Sequence, residues 1–236
     1  MNAPEKLAQD TNVFVTVPEH TFPNGHIEPA FQVGQFLSSK GADGKVAIAA
    51  DCTPWVRINY QEAIAAAKDA GLALITELQW LAIAHNVAAQ DCNWTKGKVG
   101  EGKLFRGLRK GNASSAQPGT YEPIDPKERR WLTLSNGEQL CDMNGNAFSW
   151  VFDNIQGDAG GQTGIIEADS MSLQAPFPSM EKGMGWRPDG RRDWSGLALV
   201  RGGCWYSESY AGVFRLNGGW PGSEYDYVGF RCTKGL

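Results

Sequence analysis

The 236-residue sequence has few of the residues that build catalytic centres. It contains three histidines, His20, His26 and His85, which form no HExxH motif and offer little for a general base. No Ser-His-Asp or paired-carboxylate arrangement stands out. We expect His20 and His26 to face solvent from a loop and His85 to lie at the flank of a helix. The sequence therefore argues against an enzyme, and we expect no metal and no cofactor.

Cysteine is also scarce, and its spacing is uninformative. The five cysteines form an odd set that fits neither a disulfide framework nor a CxxC metal site. We expect reduced thiols. For Cys204 and Cys232, pairing across neighbouring strands stays open beside the commoner outcome of two buried free thiols.

Long apolar runs and basic runs are both missing. No apolar run reaches 18 residues, and the first thirty residues lack the apolar core of a signal peptide. The net charge is −4, and no basic run exceeds the pairs Arg129-Arg130 and Arg191-Arg192. We therefore expect no membrane insertion and no nucleic-acid partner, and a cytoplasmic or virion-associated location.

The residues that are abundant predict a loop-rich globular protein. Apolar residues make up 42% of the chain, and there are nine tryptophans, 29 glycines and 12 prolines. We expect an N-terminal tail over residues 1–11 and one domain over residues 12–236. Residues 154–196 are rich in Gly, Asp, Ser and Pro, and we expect them to form a long loop insertion with little regular structure.

Two helices are predicted in the N-terminal half. Asn59 with Glu62, and Thr76 with the residue three further on, have the spacing of capping boxes, and Gly71 is placed to end the first helix. Short β-strands are predicted by brief apolar runs between turn residues. These runs lie at residues 13–17, 31–37, 46–49, 130–134 and 197–200.

Residues 97–103 match the first part of a phosphate-binding loop. Gly97, Gly102 and Lys103 are correctly spaced, but Leu104 stands where the magnesium-binding Ser or Thr is required. We therefore predict a turn.

The C-terminal segment differs from the rest of the chain. Residues 206–227 contain four of the six tyrosines, together with Trp220, and no lysine. Tyrosine and tryptophan with Ser, Gly and Asn are typical of antibody paratopes, since rigid rings give large contact area at low entropic cost. The apolar residues Val213, Phe214, Leu216, Val228 and Phe230 are expected to be core. The segment therefore predicts exposed binding loops carried on buried strands.

The motifs of this segment carry a family resemblance. RGG-x-W, AGVF-x-L-N and VGFRC resemble the variable region of proteins diversified by bacterial and phage retroelements, the diversity-generating retroelements. Residues 73–80 and 141–151 also resemble elements of the formylglycine-generating, sulfatase-modifying enzymes. The resemblance implies an α+β, C-type-lectin-like fold with two helices, short antiparallel strands, many long loops and a variable region over about residues 201–232.

In the retroelement family, adenine-directed reverse transcription rewrites defined codons, and the ligand is a varied protein or cell-surface molecule. The resemblance implies that binding involves residues about 205–227. The implied variable positions are Tyr206, Glu208, Tyr210, Arg215, Asn217, Gly219, Trp220, Glu224, Tyr225, Asp226 and Tyr227, with Ser207 and Ser223 as further candidates. The implied framework is Gly202, Gly203, Trp205, Phe214, Leu216, Gly229, Phe230 and Arg231. The ligand and the oligomeric state stay open.

Two alternatives share this fold. One is a calcium-independent, glycan-binding lectin, and the other is an enzyme of the sulfatase-modifying fold that lacks the catalytic cysteines. The two cysteines that bind copper in those enzymes correspond here to Ser207 and Gly212, which excludes that oxidase chemistry. Ser149 stands where the enzymes have a calcium-binding glutamate, so a structural calcium is also in doubt.

Overall fold

A computed structural model describes residues 12–236, so the predicted tail over residues 1–11 lies outside the described residues. Two α-helices occur in this part of the chain, α1 (Tyr60–Asp69) and α2 (Glu77–Ala88). The strands, in chain order, are β1 (Phe14–Val17), β2 (His20–Thr21), β3 (Ile27–Glu28), β4 (Phe31–Gly34), β5 (Ser39–Lys40), β6 (Val46–Ala47), β7 (Ala73–Leu74), β8 (Trp131–Thr133), β9 (Gln139–Cys141), β10 (Phe148–Val151), β11 (Thr163–Ile166), β12 (Arg192–Arg201), β13 (Leu216–Gly219), β14 (Val228–Phe230) and β15 (Cys232–Gly235). The α+β class is as predicted.

Both helices begin at the predicted capping boxes. The Asn59 side chain accepts a hydrogen bond from the Glu62 amide at 3.0 Å, and the Glu62 carboxylate accepts one from the Asn59 amide at 3.1 Å. Thr76 and Gln79 make the same reciprocal pair at the start of α2. These bonds satisfy amide donors that a helix start would otherwise leave without partners.

Two sheets hold the C-terminal segment at both of its ends. One sheet has the order β1-β4-β15-β7, so the last strand lies between strands from the N-terminal half. The other has the order β11-β12-β10-β14, with β13 paired to β12. The segment leaves this sheet at the end of β12, pairs with β12 as β13, and pairs with β10 in parallel as β14. The residues between these strands therefore form loops whose two ends are fixed in one sheet.

The predicted loop insertion is more regular than expected. Residues 154–196 contain the whole of β11 and the first half of β12, which pair antiparallel from Thr163 with Leu197 to Ile166 with Arg192. The expectation of little regular structure is wrong for this hairpin. The hairpin could not be predicted from the sequence, because the first half of β12 is largely exposed and lacks an alternating apolar pattern.

Helix α2 forms the support beneath the C-terminal segment. Trp80 is buried and its indole N–H donates to the Val213 carbonyl at 2.7 Å. Glu77, in the first turn, forms a fully buried ion pair with Arg201 at the end of β12. The Arg201 Nε lies 3.0 Å from one carboxylate oxygen, and Nη2 bonds the other. This two-point contact fixes the point at which the segment departs.

A second buried arginine fixes the point of return. Arg231 is fully buried and donates to the carbonyls of Gly34, Cys141 and Asp142. Its partners lie on or beside β4 and β9, so one guanidinium connects β14 and β15 to two other strands. This role explains why an arginine directly follows the apolar residues of β14.

The cysteines whose pairing was left open are separate free thiols. The Cys204 sulfur lies 3.3 Å from the Ser207 hydroxyl, and the Ser38 hydroxyl donates to the Cys232 sulfur at 3.4 Å. Burial raises the pKa of Cys232 to about 11, so this thiol is protonated at neutral pH.

The three histidines converge around Phe22. His20 and His85 stack with ring centroids 5.3 Å apart, and Phe22 lies 5.7 Å from His85 and 5.9 Å from His26. His20 is half-buried, so the expectation that it faces solvent is wrong, while His26 is exposed. Among residues 12–236, no group of three or more His, Cys, Asp or Glu side chains is arranged to hold a metal.

This cluster makes stability depend on pH. Burial lowers the pKa of His85 to about 4, with smaller contributions from His20 and Arg201, and burial also lowers the pKa of His20. The unfolded chain therefore takes up protons near pH 6.5 that the folded chain excludes. We expect the melting temperature to fall as pH decreases from about 6.5 toward 4. His85→Gln should flatten that slope in melts recorded across this range, and an unchanged slope would contradict the assignment.

Candidate ligand-binding surface

The C-terminal segment stands on a buried framework. Two glycines allow the backbone of this framework to turn where a larger residue would be strained. Gly202 and Gly203 adopt φ values of 92° and 102°, which favour glycine. A Cβ atom at Gly203 would lie 3.0 Å from Ala211. The framework residues Phe214, Leu216, Gly229, Phe230 and Arg231 are buried, and Trp205 is half-buried. The chain therefore turns sharply over α2 and anchors its apolar side chains inward.

The eleven predicted variable positions face outward to different degrees, and none is fully buried. The exposed fractions of Tyr206, Tyr210 and Trp220 are 44%, 47% and 67%, which is high for large aromatic residues. Glu208, Glu224 and Asp226 are also exposed. Arg215, Asn217, Gly219, Tyr225 and Tyr227 are half-buried. One short segment thus separates inward apolar residues from outward polar and aromatic ones.

Several of these rings form a continuous aromatic row. Tyr206 contacts Trp205 with centroids 4.5 Å apart and Tyr227 at 5.5 Å, and Tyr227 contacts Tyr225 at 5.3 Å. The Trp220 amide donates to the Tyr225 hydroxyl at 3.3 Å. Burial, followed by neighbouring groups, raises the pKa of Tyr206, so its phenol keeps its proton. The row is therefore a partly preorganised aromatic surface whose rings hold one another in place.

Arg215 connects this surface to the loop insertion. Its guanidinium lies 5.0 Å from the Trp186 ring centroid, 5.4 Å from Tyr210 and 5.6 Å from Phe148. Its Nε and Nη1 atoms are buried and find no hydrogen-bond acceptor within the described chain. The rings are thus its main partners, through cation–π contacts. Trp186 was missed from the sequence, although a tryptophan in a glycine-rich loop is a usable signal.

Gly219 does not fit the implied pattern of free variation. A Cβ atom placed there would lie 2.8 Å from the ring of Trp150, which is fully buried. The Trp150 indole N–H is held by the Ile58 carbonyl at 3.0 Å, so the ring has little freedom to withdraw. A side chain at this position would strain strand β13. Gly219 therefore does not belong with the positions that can vary freely.

The neighbouring loop before α1 contributes a further residue that the sequence did not suggest. The Arg57 amide donates to the Tyr225 carbonyl at 2.9 Å, and its guanidinium lies 3.7 Å from the Asp226 carboxylate. Both side chains are more than half exposed, so the ion pair contributes little stability. Arg57 instead adds a cationic group to the rim of the surface.

The positions of the enzyme cysteines do not support copper chemistry. The Ser207 hydroxyl accepts a hydrogen bond from the Cys204 amide at 2.9 Å and so stabilises the local turn. A Cβ atom at Gly212 would lie 2.2 Å from the Gly185 nitrogen, so no side chain fits there. The pair of thiolates that the enzymes use is therefore absent and, at one position, sterically excluded.

The element that binds calcium in the enzymes also lacks a suitable ligand set. Ser149 is fully buried, and its hydroxyl finds no partner among the described residues. The Asn144 side chain bonds the Gly107 amide at 2.9 Å and the Phe105 carbonyl at 3.0 Å. Because its amide serves as a structural bridge and no carboxylate replaces the glutamate, these residues do not fit a hard divalent cation.

Fold and segment together define the class of protein, an α+β, C-type-lectin-like fold of the formylglycine-generating-enzyme type. The family model described as the sulfatase-modifying factor enzyme 1-like domain matches residues 14–236, and the chain belongs to this family. No curated protein sequence gives a significant match.

Three solved structures illustrate what the chain is similar to. PvdO from Pseudomonas aeruginosa has a TM-score of 0.52 at 15% identity, covering 97% of this chain and 96% of that chain. Treponema denticola variable protein 1 has a TM-score of 0.48 at 14% identity, covering 95% and 93%. The Major Tropism Determinant M1 variant has a TM-score of 0.49 at 10% identity, and the match covers 87% of this chain and 50% of that chain. The likeness to PvdO confirms the predicted fold.

One further finding concerns membranes. No helix within residues 12–236 is both long enough and apolar enough to cross a bilayer.

Proposed function

We propose that this protein is a ligand-binding member of the family whose C-terminal segment is a diversified recognition surface. The observation that supports this is the division within that segment, in which exposed and half-buried aromatic residues stand on a largely buried framework. The proposed positions, in addition to the rim residue Arg57, are Tyr206, Glu208, Tyr210, Arg215, Asn217, Trp220, Glu224, Tyr225, Asp226 and Tyr227. Recognition, not catalysis, is the activity that these side chains support.

The size of the surface suits a protein or cell-surface ligand. Ten positions of this kind can bury on the order of 600–800 Å² on each partner, which matches a standard specific interface. Binding energy in such interfaces concentrates on a few aromatic anchors. Trp220, Tyr206 and Tyr225 are the proposed anchors, because the first two combine high exposure with large area. Tyr225 is held between Tyr227 and Trp150 and is therefore positioned before the ligand arrives.

The proposal is tested without knowing the ligand by sequencing codons 201–232 in many isolates. We expect substitutions to concentrate at the ten positions, with Phe214, Gly229 and Phe230 constant, because adenine-directed mutagenesis rewrites only selected codons. Codons 20–26, around the buried Phe22, are sequenced in the same isolates as an internal control and should not vary. A uniform segment, or variation spread evenly through the gene, would overturn diversification and leave a fixed-specificity binder.

A further inference from the structure

A basic hollow lies beside the exposed turn at Glu208. Two adjoining cavities of about 320 and 630 Å³ share Arg106 and Arg109 in their walls. The cationic lining residues are Lys103, Arg106, Arg109, Lys110 and Lys127. Glu208 is the one carboxylate among the described lining residues. Such a concentration of cations is unexpected in a chain of net charge −4.

The two arginines are buried side by side, which costs desolvation energy. Each is 8% exposed. Arg106 donates through Nη1 to the Ser209 carbonyl at 3.0 Å, and it has no carboxylate partner in the described chain. Burial, with the nearby charge of Arg109, lowers the pKa of Arg106 to about 10. Two adjacent guanidinium groups in one wall are typical of a site that an anion neutralises.

Arg109 has an unused donor. Its Nη1 atom is buried and makes no hydrogen bond to any described residue. The nearest carboxylate oxygen, Oε1 of Glu128, lies 3.8 Å away and already accepts from the Arg109 and Lys110 amides at 2.6 and 2.8 Å. A buried donor without an acceptor is costly. Because Arg109 lines both cavities, its guanidinium adds positive charge to their shared wall.

The remaining cations have little internal neutralisation. Lys110 is paired with Asp125, but no ion pair is made by Lys103 or Lys127 within the described residues. Both side chains are exposed at the mouth of the larger cavity. The hollow therefore has guanidinium donors at its wall and free ammonium groups at its rim. Donors from several directions suit the four oxygens of a tetrahedral anion better than the two coplanar oxygens of a carboxylate.

We propose that this hollow is a binding subsite for a tetrahedral oxyanion, a sulfate or phosphate ester carried by the ligand. Hydrogen bonds to backbone groups of the exposed turn connect the hollow to the recognition surface. The Glu208 amide donates to the Arg109 carbonyl at 2.6 Å, and Arg106 holds the Ser209 carbonyl, so the subsite and the exposed turn are one unit. Glu208 thereby sets specificity, since its carboxylate opposes an anion and a neutral replacement favours one. This last point rests on the proposed function, in which Glu208 varies.

The test is a calorimetric titration of the whole protein with sodium sulfate and, separately, with sodium phosphate. Both titrations are done at constant ionic strength. Acetate is the planar comparison. We expect Lys103→Gln with Lys127→Gln to weaken binding about tenfold, and Glu208→Gln to tighten it about threefold, through loss of charged contacts. Lys68→Gln, on the surface of α1, removes one positive charge away from the hollow and should leave binding unchanged. The tighter of the two anions identifies the ester.

Arg109→Lys gives a second measure at the wall of the hollow. It keeps the charge but loses the forked donor, so we expect weaker sulfate binding with the Lys68→Gln control again unaffected. The exposed lysine variants keep the result interpretable if this buried variant fails to fold. Absence of sulfate and phosphate binding at millimolar concentrations, or equal weakening by Lys68→Gln, overturns the subsite. Anion binding and its loss in the Lys103, Lys127 and Arg109 variants do not depend on gene diversification. Failure of the proposed function would therefore leave these results unchanged.

Discussion

Replacing Arg201 with methionine is expected to lower the free energy of unfolding by about 3–5 kcal/mol, because it leaves the Glu77 carboxylate buried and unpaired. Both side chains of this ion pair are 0% exposed. The variant also removes the hydrogen bond from Arg201 Nη1 to the Phe214 carbonyl, 2.9 Å long in the native protein. Urea denaturation followed by tryptophan fluorescence measures the loss.

Two comparison variants isolate the buried pair. Arg192→Met lies on the same strand, but its partner Asp189 is 90% exposed, so the expected loss is at most about 1 kcal/mol. The double variant Glu77→Met with Arg201→Met should regain part of the stability, because apolar side chains of similar volume replace a desolvated pair. A loss for Arg201→Met as small as that for Arg192→Met contradicts the proposed support of the segment by α2.

The second large effect separates framework from surface. Phe230 is 0% exposed and packs against Trp55, so Phe230→Ala should lower the free energy of unfolding by about 3–5 kcal/mol. Trp220 is 67% exposed, so Trp220→Ala should change stability by less than about 0.5 kcal/mol. Because Trp220 is a proposed anchor, Trp220→Ala should weaken ligand binding by about 2 kcal/mol or more.

The same denaturation experiment measures both stabilities, and circular dichroism confirms that Trp220→Ala keeps its secondary structure. Tyr121→Ala is the control for loss of an aromatic side chain elsewhere in the protein. Tyr121 is half-buried and lies far from the C-terminal segment in sequence. Equal destabilisation by the Phe230 and Trp220 variants is the result that conflicts with a division between folding and recognition.

Local sequence patterns predicted the local structure well. The capping boxes at Asn59 and Thr76 located both helix starts, because each box needs only side chains three residues apart. The inward positions of Phe214 and Phe230 followed from apolar residues between turn residues. The fold was predicted from the motifs that resemble the two families, and the family match confirms it.

Long-range contacts were beyond the sequence. Glu77 and Arg201 are 124 residues apart, and nothing in either local pattern specifies that they meet. The histidines at positions 20 and 85 stack only because the hairpin of β2 and β3 packs against α2. Gly219 was grouped with variable positions because the ring of Trp150, far away in sequence, cannot be placed over it without the fold.

The oxyanion hollow shows the same limit. In the sequence, Lys103 belongs to an incomplete phosphate-binding loop. Residues 97–103 form a turn, as predicted. The tertiary fold instead brings Lys103 beside Arg109 and Lys127. Charge convergence of this kind is a property of packing, and the net charge of −4 gives no sign of it.

The division of the segment into framework and recognition surface is tested most directly by the folded fraction of a displayed library in which all ten proposed positions are randomised together. Protease resistance of each displayed variant is the measurement, and a matched library randomises the eight framework positions. We expect most members of the first library to stay resistant, because their side chains project from a largely buried framework, and few members of the second library to do so. Equal resistant fractions in the two libraries would contradict this division.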